Sequence, residues 1–203
     1  FDGIDDYINF GTTYFNFTNG FTIEAWVKPT AYKTWARILD FGTGGLNYTI
    51  SLGMTNTTPA RWFFTVRTAT GVGLNSYLGT DGISLNSVQC VTYTITPSGG
   101  PGTVGDMFGY LNGVNLDLDP TNPSSAQSMT IPYAVSRTSS LIGKSNFAGD
   151  AYYEGNIYSI KIYLLITLII FYFEINNLLI YLSLQKFPLV LKLFLRNKWW
   201  SVL

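Results

Sequence analysis

Three carboxylates crowd the first six residues, Asp2, Asp5 and Asp6, around Gly3. Calcium takes hard oxygen ligands, often carboxylates mixed with backbone carbonyls in a flexible loop, and this segment offers that chemistry. Asp150, just ahead of the final strand, would join the set if the two ends of the chain meet. The plainer account is that Asp-Gly and Asp-Asp cap turns by bonding to their own backbone. Carboxylates are also what glycoside hydrolysis needs, as a pair held about 5–9.5 Å apart. Asn115, Asp117 and Asp119 fall on one face of a strand, opposite Leu116 and Leu118. That pattern reads as an exposed polar face running into a proline turn.

Flat rings supply a second kind of chemistry. Sugar rings present apolar C–H faces that Trp and Tyr cover at little entropic cost, while the ring edges hydrogen-bond. Trp35 and Tyr32, in a predicted loop, together with Tyr77, Tyr152 and Tyr153, are the candidates for a ligand-binding surface. Trp26 lies on a strand and is expected in or against the core. Histidine is absent, which removes His-based acid–base catalysis, Ser-His-Asp and Cys-His nucleophiles and the commonest zinc ligand. Cys90 is the single cysteine, so the chain forms no internal disulfide and no thiolate cluster; it reads as a buried, inert thiol. Residues Phe1–Lys161 carry eight Lys and Arg against eleven Asp and Glu, without the basic stripe of a nucleic-acid binder. Asn16-Phe-Thr18, Asn47-Tyr-Thr49 and Asn56-Thr-Thr58 are sequons that matter only in a secreted protein. The chain opens on Phe1 rather than Met, as a fragment would, and a signal peptide could precede it.

The elements that must position these groups are strands. In Phe21–Pro29, Phe21, Ile23, Ala25 and Val27 alternate with Thr22, Glu24, Trp26 and Lys28, and Pro29 stops the ladder. Further strands are predicted at Tyr7–Phe10, Arg37–Gly42, Asn47–Leu52, Trp62–Arg67, Val88–Thr96, Met107–Leu111, Val114–Leu118, Ser140–Gly143 and Gly155–Tyr163. Asn112-Gly113 supplies the positive φ angles of a type I′ hairpin turn. Thr68–Leu85 reads as a Gly-punctuated loop, and the facing of Val88, Cys90, Tyr93 and Ile95 stays open unless a bulge intervenes. Short, regularly spaced strands without an amphipathic helix predict an all-β, two-sheet antiparallel jelly-roll sandwich over residues 1–163.

Phe1-Asp-Gly-Ile-Asp-Asp-Tyr7, Phe21-Thr-Ile-Glu-Ala-Trp-Val-Lys-Pro29, Tyr110-Leu-Asn-Gly113, Ile142-Gly-Lys144 and Gly155-Asn-Ile-Tyr-Ser-Ile-Lys-Ile-Tyr163 follow one another in that order. The set resembles a laminin-G-like domain of the concanavalin A-like lectin/glucanase superfamily. That resemblance implies a jelly roll whose first and last strands pair and one of whose sheets is concave. It implies glycan or protein binding outside cells, often with calcium, with a minority of glycosidases that set Glu-x-Asp-x-x-Glu on a strand. Glu24, Glu154 and Glu174 have no partner at that spacing. The acidic pair usual after the first Ile of the last strand is replaced by Tyr158 and Ser159, and Gln89 stands where a His is common.

After Asn156 the composition changes: Ile157–Leu203 holds no Gly, Ala, Asp or Cys, although the chain has 20 glycines. Residues 164–203 therefore read as a hydrophobic tail outside the fold. Residues 162–184 could anchor it in a membrane: each Leu or Ile gains about 0.3–0.6 kcal/mol against about 2.5–3.5 for the acid at Glu174. Lys186, Lys192, Arg196 and Lys198 would then mark a cytoplasmic end. A retained intron or shifted frame, rich in A/T-coded residues, and a packed extra element are the other accounts. The functional expectation is a non-catalytic recognition module, extracellular or at the cell surface, binding a glycan or a protein partner with calcium as its candidate cofactor. A structural spacer and a glycoside hydrolase are the alternatives.

Overall fold

The computed structural model describes residues 1–45, 47–69, 73–79, 83–97, 99–116 and 128–164, and four further strands within 172–201. The chain divides into two compact units, Phe1–Ile162 and Tyr163–Leu203. In chain order the strands are β1 (Ile8–Asn9), β2 (Thr13–Tyr14), β3 (Phe21–Pro29), β4 (Arg37–Gly42), β5 (Ile50–Met54), β6 (Trp62–Arg67) and β7 (Gly73–Tyr77). Then come β8 (Gln89–Pro97), β9 (Val104–Leu111), β10 (Val114–Leu116), β11 (Ser128–Thr130), β12 (Ser136–Arg137), β13 (Ser139–Ile142) and β14 (Gly155–Leu164). One sheet runs β1-β13-β4-β5-β6-β7, the other β10-β9-β8-β3-β14 with β11 also on β9, and β2 pairs β12. The antiparallel sheets form the predicted all-β jelly roll.

Alternation builds the core. On β3, Phe21, Ile23, Ala25 and Val27 point inward and are wholly buried. They meet Ile50, Leu52, Phe64 and Val66 of the other sheet, with Phe64 stacked at 5.2 Å on Tyr93 of β8. Each such side chain contributes about 1.5–3 kcal/mol by leaving water. Val91, Tyr93 and Ile95 all face inward with no bulge, so the open register of β8 resolves by placing Cys90 on the opposite face, buried as expected. The β9–β10 turn follows its sequence: Asn112 has φ 53° and Gly113 φ 80°, and Asn112 Oδ1 accepts the Cys90 N–H at 2.8 Å.

Three expectations need correction. The stretch read as a loop over Thr68–Leu85 contains β7, held by five residue pairs to β6; its glycine and polar residues hide a strand whose outer face is not part of the core. Trp26 is not core: Ala25 and Val27 take the inward positions, which leaves Trp26 42% exposed on the outer face. The first and last strands do not pair as a ladder. β1 pairs β13, and β14 lies beside β3. The opening residues reach the last strand through the single bridge Asp2–Glu154. The chain then folds back on itself, with Ile4 N–H donating to Asp2 Oδ1, so the pairing goes no further.

In the second unit β15 (Tyr172–Ile175), β16 (Leu178–Ser183), β17 (Val190–Leu195) and β18 (Lys198–Ser201) make an antiparallel meander in that order. Among the described residues no helix is long and apolar enough to cross a membrane. The span expected at 162–184 lies partly outside the described residues, as do Asp117 and Asp119.

Candidate functional site

The outer face of the β1-β13-β4-β5-β6-β7 sheet carries charged, polar and aromatic side chains side by side. Register sets Arg37, Gly53, Phe63 and Tyr77 in one row across β4–β7, and Asp40, Ser51, Thr65 and Asn75 in the next. Arg67 and Gly73 follow in a third. A groove of about 210 Å³ opens over these rows, walled by Trp35, Phe63 and Phe147 and floored by Arg37, Thr65, Arg67 and Asn75, with Asp150 at its rim. Trp35 comes from the loop before β4, where its φ of 55° turns the chain, and its ring meets Phe63 edge-on at 5.2 Å.

A Cβ on Gly53 would collide first with the Ala36 backbone carbonyl and then press on Arg37, and one on Gly73 would collide with Arg67 Cγ and the Val66 backbone carbonyl. Arg37 lies with its guanidinium 4.6 Å from the Phe63 ring centre. Its NH2 meets Asp150 Oδ2 at 3.0 Å, its NH1 donates to the Trp35 carbonyl, and its Nε, 3.8 Å from Asp40 Oδ2, has no hydrogen-bond partner among the described residues. Burial lowers the Arg37 pKa, and the Asp150 and Asp40 carboxylates oppose that shift.

The loop that brings Phe147 and Asp150 over the sheet is tied down from below. Asp40, 0% exposed, accepts from Asn146 N at 3.1 Å, Asn146 Nδ2 at 3.0 Å and Ser145 Oγ at 3.2 Å. Ser145 Oγ also reaches Asp150 Oδ2 at 2.7 Å. Burial raises the Asp40 pKa, against the hydrogen bonds from Asn146 and the charge of Arg37.

Of the predicted ligand-binding residues the groove takes Trp35, and Tyr77 flanks Phe63 in its row while being largely buried; Asp150, predicted for calcium, lines the groove instead. Tyr32 is exposed elsewhere and donates to the Ile83 carbonyl at 2.7 Å. Tyr152 stands beside Tyr7, with the Lys144 ammonium 5.1 Å from its ring. Tyr153 is corrected to core: it is 0% exposed and meets Phe1 edge-on, because of two adjacent tyrosines one must turn inward. Phe63, Phe147, Arg37 and Arg67 were missed. The available signal was the second parity of β6, where Phe63, Thr65 and Arg67 alternate with the inward Trp62, Phe64 and Val66.

The carboxylates of Asp2, Asp5 and Asp6 do come together, within 4.8 Å of one another and exposed. Asp150 does not join them, being held by Arg37 and Ser145. Asp2 Oδ1 accepts from Ile4 N and Asp5 N, and Asp6 Oδ2 from Asp2 N, as turn-capping aspartates do. These three side chains supply part of the six to eight oxygens calcium takes.

On β14 of the other sheet, Ile157, Ile160 and Ile162 all pack against the core. The parity therefore changes across Tyr158 and Ser159, which line an apolar recess with Trp26 and Val88. Beside it Glu24 Oε1 accepts from Trp26 Nε1 and Lys161 Nζ, each at 3.2 Å.

A search of characterised protein sequences gave no match. Among solved structures the chain is similar to the CBM40 of Ruminococcus gnavus IT-sialidase, at 14% identity and TM-score 0.51, over 80% of this chain and 93% of that one. The same module bound to α2,3-sialyllactose matches at TM-score 0.51 and 14% identity, over 80% and 92%. Tailspike protein 2 of an Escherichia coli O157:H7 bacteriophage matches at 13% identity and TM-score 0.51, over 80% of this chain but 22% of the tailspike. Likeness at this identity speaks for the fold. A laminin-G-like family model of the concanavalin A-like lectin/glucanases superfamily matches residues 2–164, and the chain belongs to that family.

Proposed function

We propose that the sandwich is a non-catalytic glycan-recognition module whose ligand seats in the groove of Trp35, Phe63 and Phe147. The observation that carries this reading is the convergence of two partly exposed rings, Trp35 and Phe147, with Asn75, Arg67 and Asp150 in one concavity over the buried Phe63 and Thr65. Rings cover the apolar face of a sugar while the polar groups fix its hydroxyls. At about 210 Å³ the groove is smaller than the roughly 300–1,000 Å³ of drug-sized sites, which suits one ring at a chain end. The family, and the likeness of the whole sandwich to a carbohydrate-binding module solved with a bound sugar, support the same reading. A spacer domain would have no such ring-and-polar cluster.

An enzyme reading would draw on Asp40 and Asp150, since both carboxylates meet the one hydroxyl of Ser145. Retaining glycosidases hold their pair about 5–5.5 Å apart. Asp40, however, is wholly buried beneath the loop, and its lone pairs are taken by Asn146 and Ser145. A carboxyl that no substrate reaches is a brace for the loop.

An extracellular setting and calcium belong to the proposal as subordinate parts. Asp2, Asp5 and Asp6 would hold the ion, which would pin the opening segment. The test is a glycan array probed with the whole chain, with and without a chelator, together with a hydrolysis assay on every glycan bound. Binding without turnover is expected, and chelation should weaken it if calcium serves the site. Failure to bind any glycan removes the proposal, and turnover of a bound glycan removes its non-catalytic part.

A further inference from the structure

We propose that the recess between Trp26 and Tyr158, on the outer face of the β10-β9-β8-β3-β14 sheet, is a second carbohydrate site that takes a neutral, hydroxyl-rich sugar; it goes beyond the groove and does not depend on it. The rings there are offered to solvent. Trp26 is 42% exposed and Tyr158 57%, with Val88 beside them at 48%. Uncovered flat rings meet the C–H face of a sugar at little entropic cost. The recess, about 550 Å³, falls within the roughly 300–1,000 Å³ of small-molecule sites. The change of parity on β14 makes this platform, because Ile157 and Ile160 pack against the core while Tyr158 and Ser159 line the recess with Trp26.

The indole is set in advance. Its Nε1 donates to Oε1 of Glu24, two residues back on the same face of β3, at 3.2 Å. Lys161 Nζ reaches the same oxygen at 3.2 Å. A ring already held in its binding posture spares the ligand that ordering cost. Both bonds fall on Oε1. Among the described residues Glu24 Oε2 takes no hydrogen bond, and the side chain keeps 23% of its surface. A carboxylate oxygen beside exposed rings accepts from hydroxyl groups, which a sugar carries around its rim. The same oxygen decides the occupant. A protein surface closing over the rings with apolar side chains would strip water from Glu24 and leave Oε2 without a donor. A sugar covers the rings and supplies the donors together. An acidic sugar would bring its own negative charge toward Glu24, so the neutral one is favoured.

The experiment follows the indole N–H resonances of the whole chain in nitrogen–proton correlation spectra, with Trp26 and Trp35 assigned through W26F and W35F. Trp26 reports the recess and Trp35 the groove. The neutral probes are cellobiose, lactose, mannobiose and N,N′-diacetylchitobiose, and the acidic ones are 3′-sialyllactose and a glucuronate-terminated disaccharide. Each is titrated to roughly 10 mM, where a millimolar site fills. At least one neutral probe should shift Trp26 saturably, at lower concentration than either acidic probe. E24Q keeps an acceptor for the indole but loses the charge, and should weaken that titration by about tenfold, the worth of a hydrogen bond to a charged group. Y158A should weaken it about threefold or more. No Trp26 shift from any probe, a shift from the acidic probes alone, or a shift that neither variant weakens overturns the inference. A Trp26 resonance that moves with protein concentration in the absence of sugar assigns the face to a second copy and overturns it too. In every case Trp35 reports on the groove separately, so failure of the recess is told from failure of the groove. The titration of the natural chain needs no variant, so a variant that fails to fold cannot protect the inference.

Discussion

At the scale of single residues, Trp35 and Asp40 divide binding from support. Trp35→Ala should weaken binding of the groove's glycan by about tenfold, as loss of a ring stack does, and lower stability by about 1 kcal/mol through its edge contact with Phe63. Titration calorimetry and thermal unfolding separate the two effects. Asp40 acts from underneath. Its pKa is raised by burial from the ordinary 3.8, so the native state binds this proton more tightly than the unfolded chain. Its stabilisation is therefore complete below the unfolded value and is lost as pH rises through the folded one. Asp40→Asn removes this proton step. The stability advantage of the natural chain over Asp40→Asn should be widest in acid and shrink toward neutrality, measured by urea unfolding between about pH 3 and pH 7. An advantage that grows with pH would contradict the assignment. Arg137 is a different case, 1% exposed and stacked on Phe17. It donates to the carbonyls of Tyr48, Val135 and Tyr133, and burial lowers its pKa to about 10.

At the scale of elements, the loop between β13 and β14 decides whether the groove exists, because it carries Phe147 and Asp150. Asn146 fastens it through Asp40 and the Ser139 carbonyl. Asn146→Ala should cost about 1–3 kcal/mol and speed hydrogen exchange at Phe147 and Asp150 while leaving β3 and β8 protected. Unchanged exchange in the loop would mean that other contacts hold it. The elements differ in how far their residues announced them. β3 was legible because four inward and four outward residues alternate without a fault, and the β9–β10 turn because Asn-Gly is demanded by its φ angles. β7 was hidden since its glycine answers to Arg67 on the next strand, a relation between strands that local pattern does not contain. The groove was hidden for the same reason. Trp35, Phe63 and Phe147 are far apart in the chain and meet only through register and a folded-back loop, and alternation cannot tell which of Tyr152 and Tyr153 turns inward.

At the scale of the whole molecule, the division at Ile162 predicts that a chain ending at Leu164 folds by itself. It should show one cooperative thermal transition and the same glycan affinity as the full chain within about twofold. Loss of that transition would make the second unit a structural partner of the first. The asparagines of all three sequons are exposed, Asn16, Asn47 and Asn56. Passage through a eukaryotic secretory pathway should therefore add mass at one or more of them, removable by an amidase and absent from the Asn→Gln variants. The change of parity at Tyr158 and Ser159 has a consequence for assembly. It turns Tyr158 toward Trp26 on the wall opposite the groove, so the two recesses stand back to back with the packed sheets, spaced about 10 Å, between them. A body resting on one wall cannot obstruct what is seated on the other, and the domain has a front and a back that can be occupied at the same time.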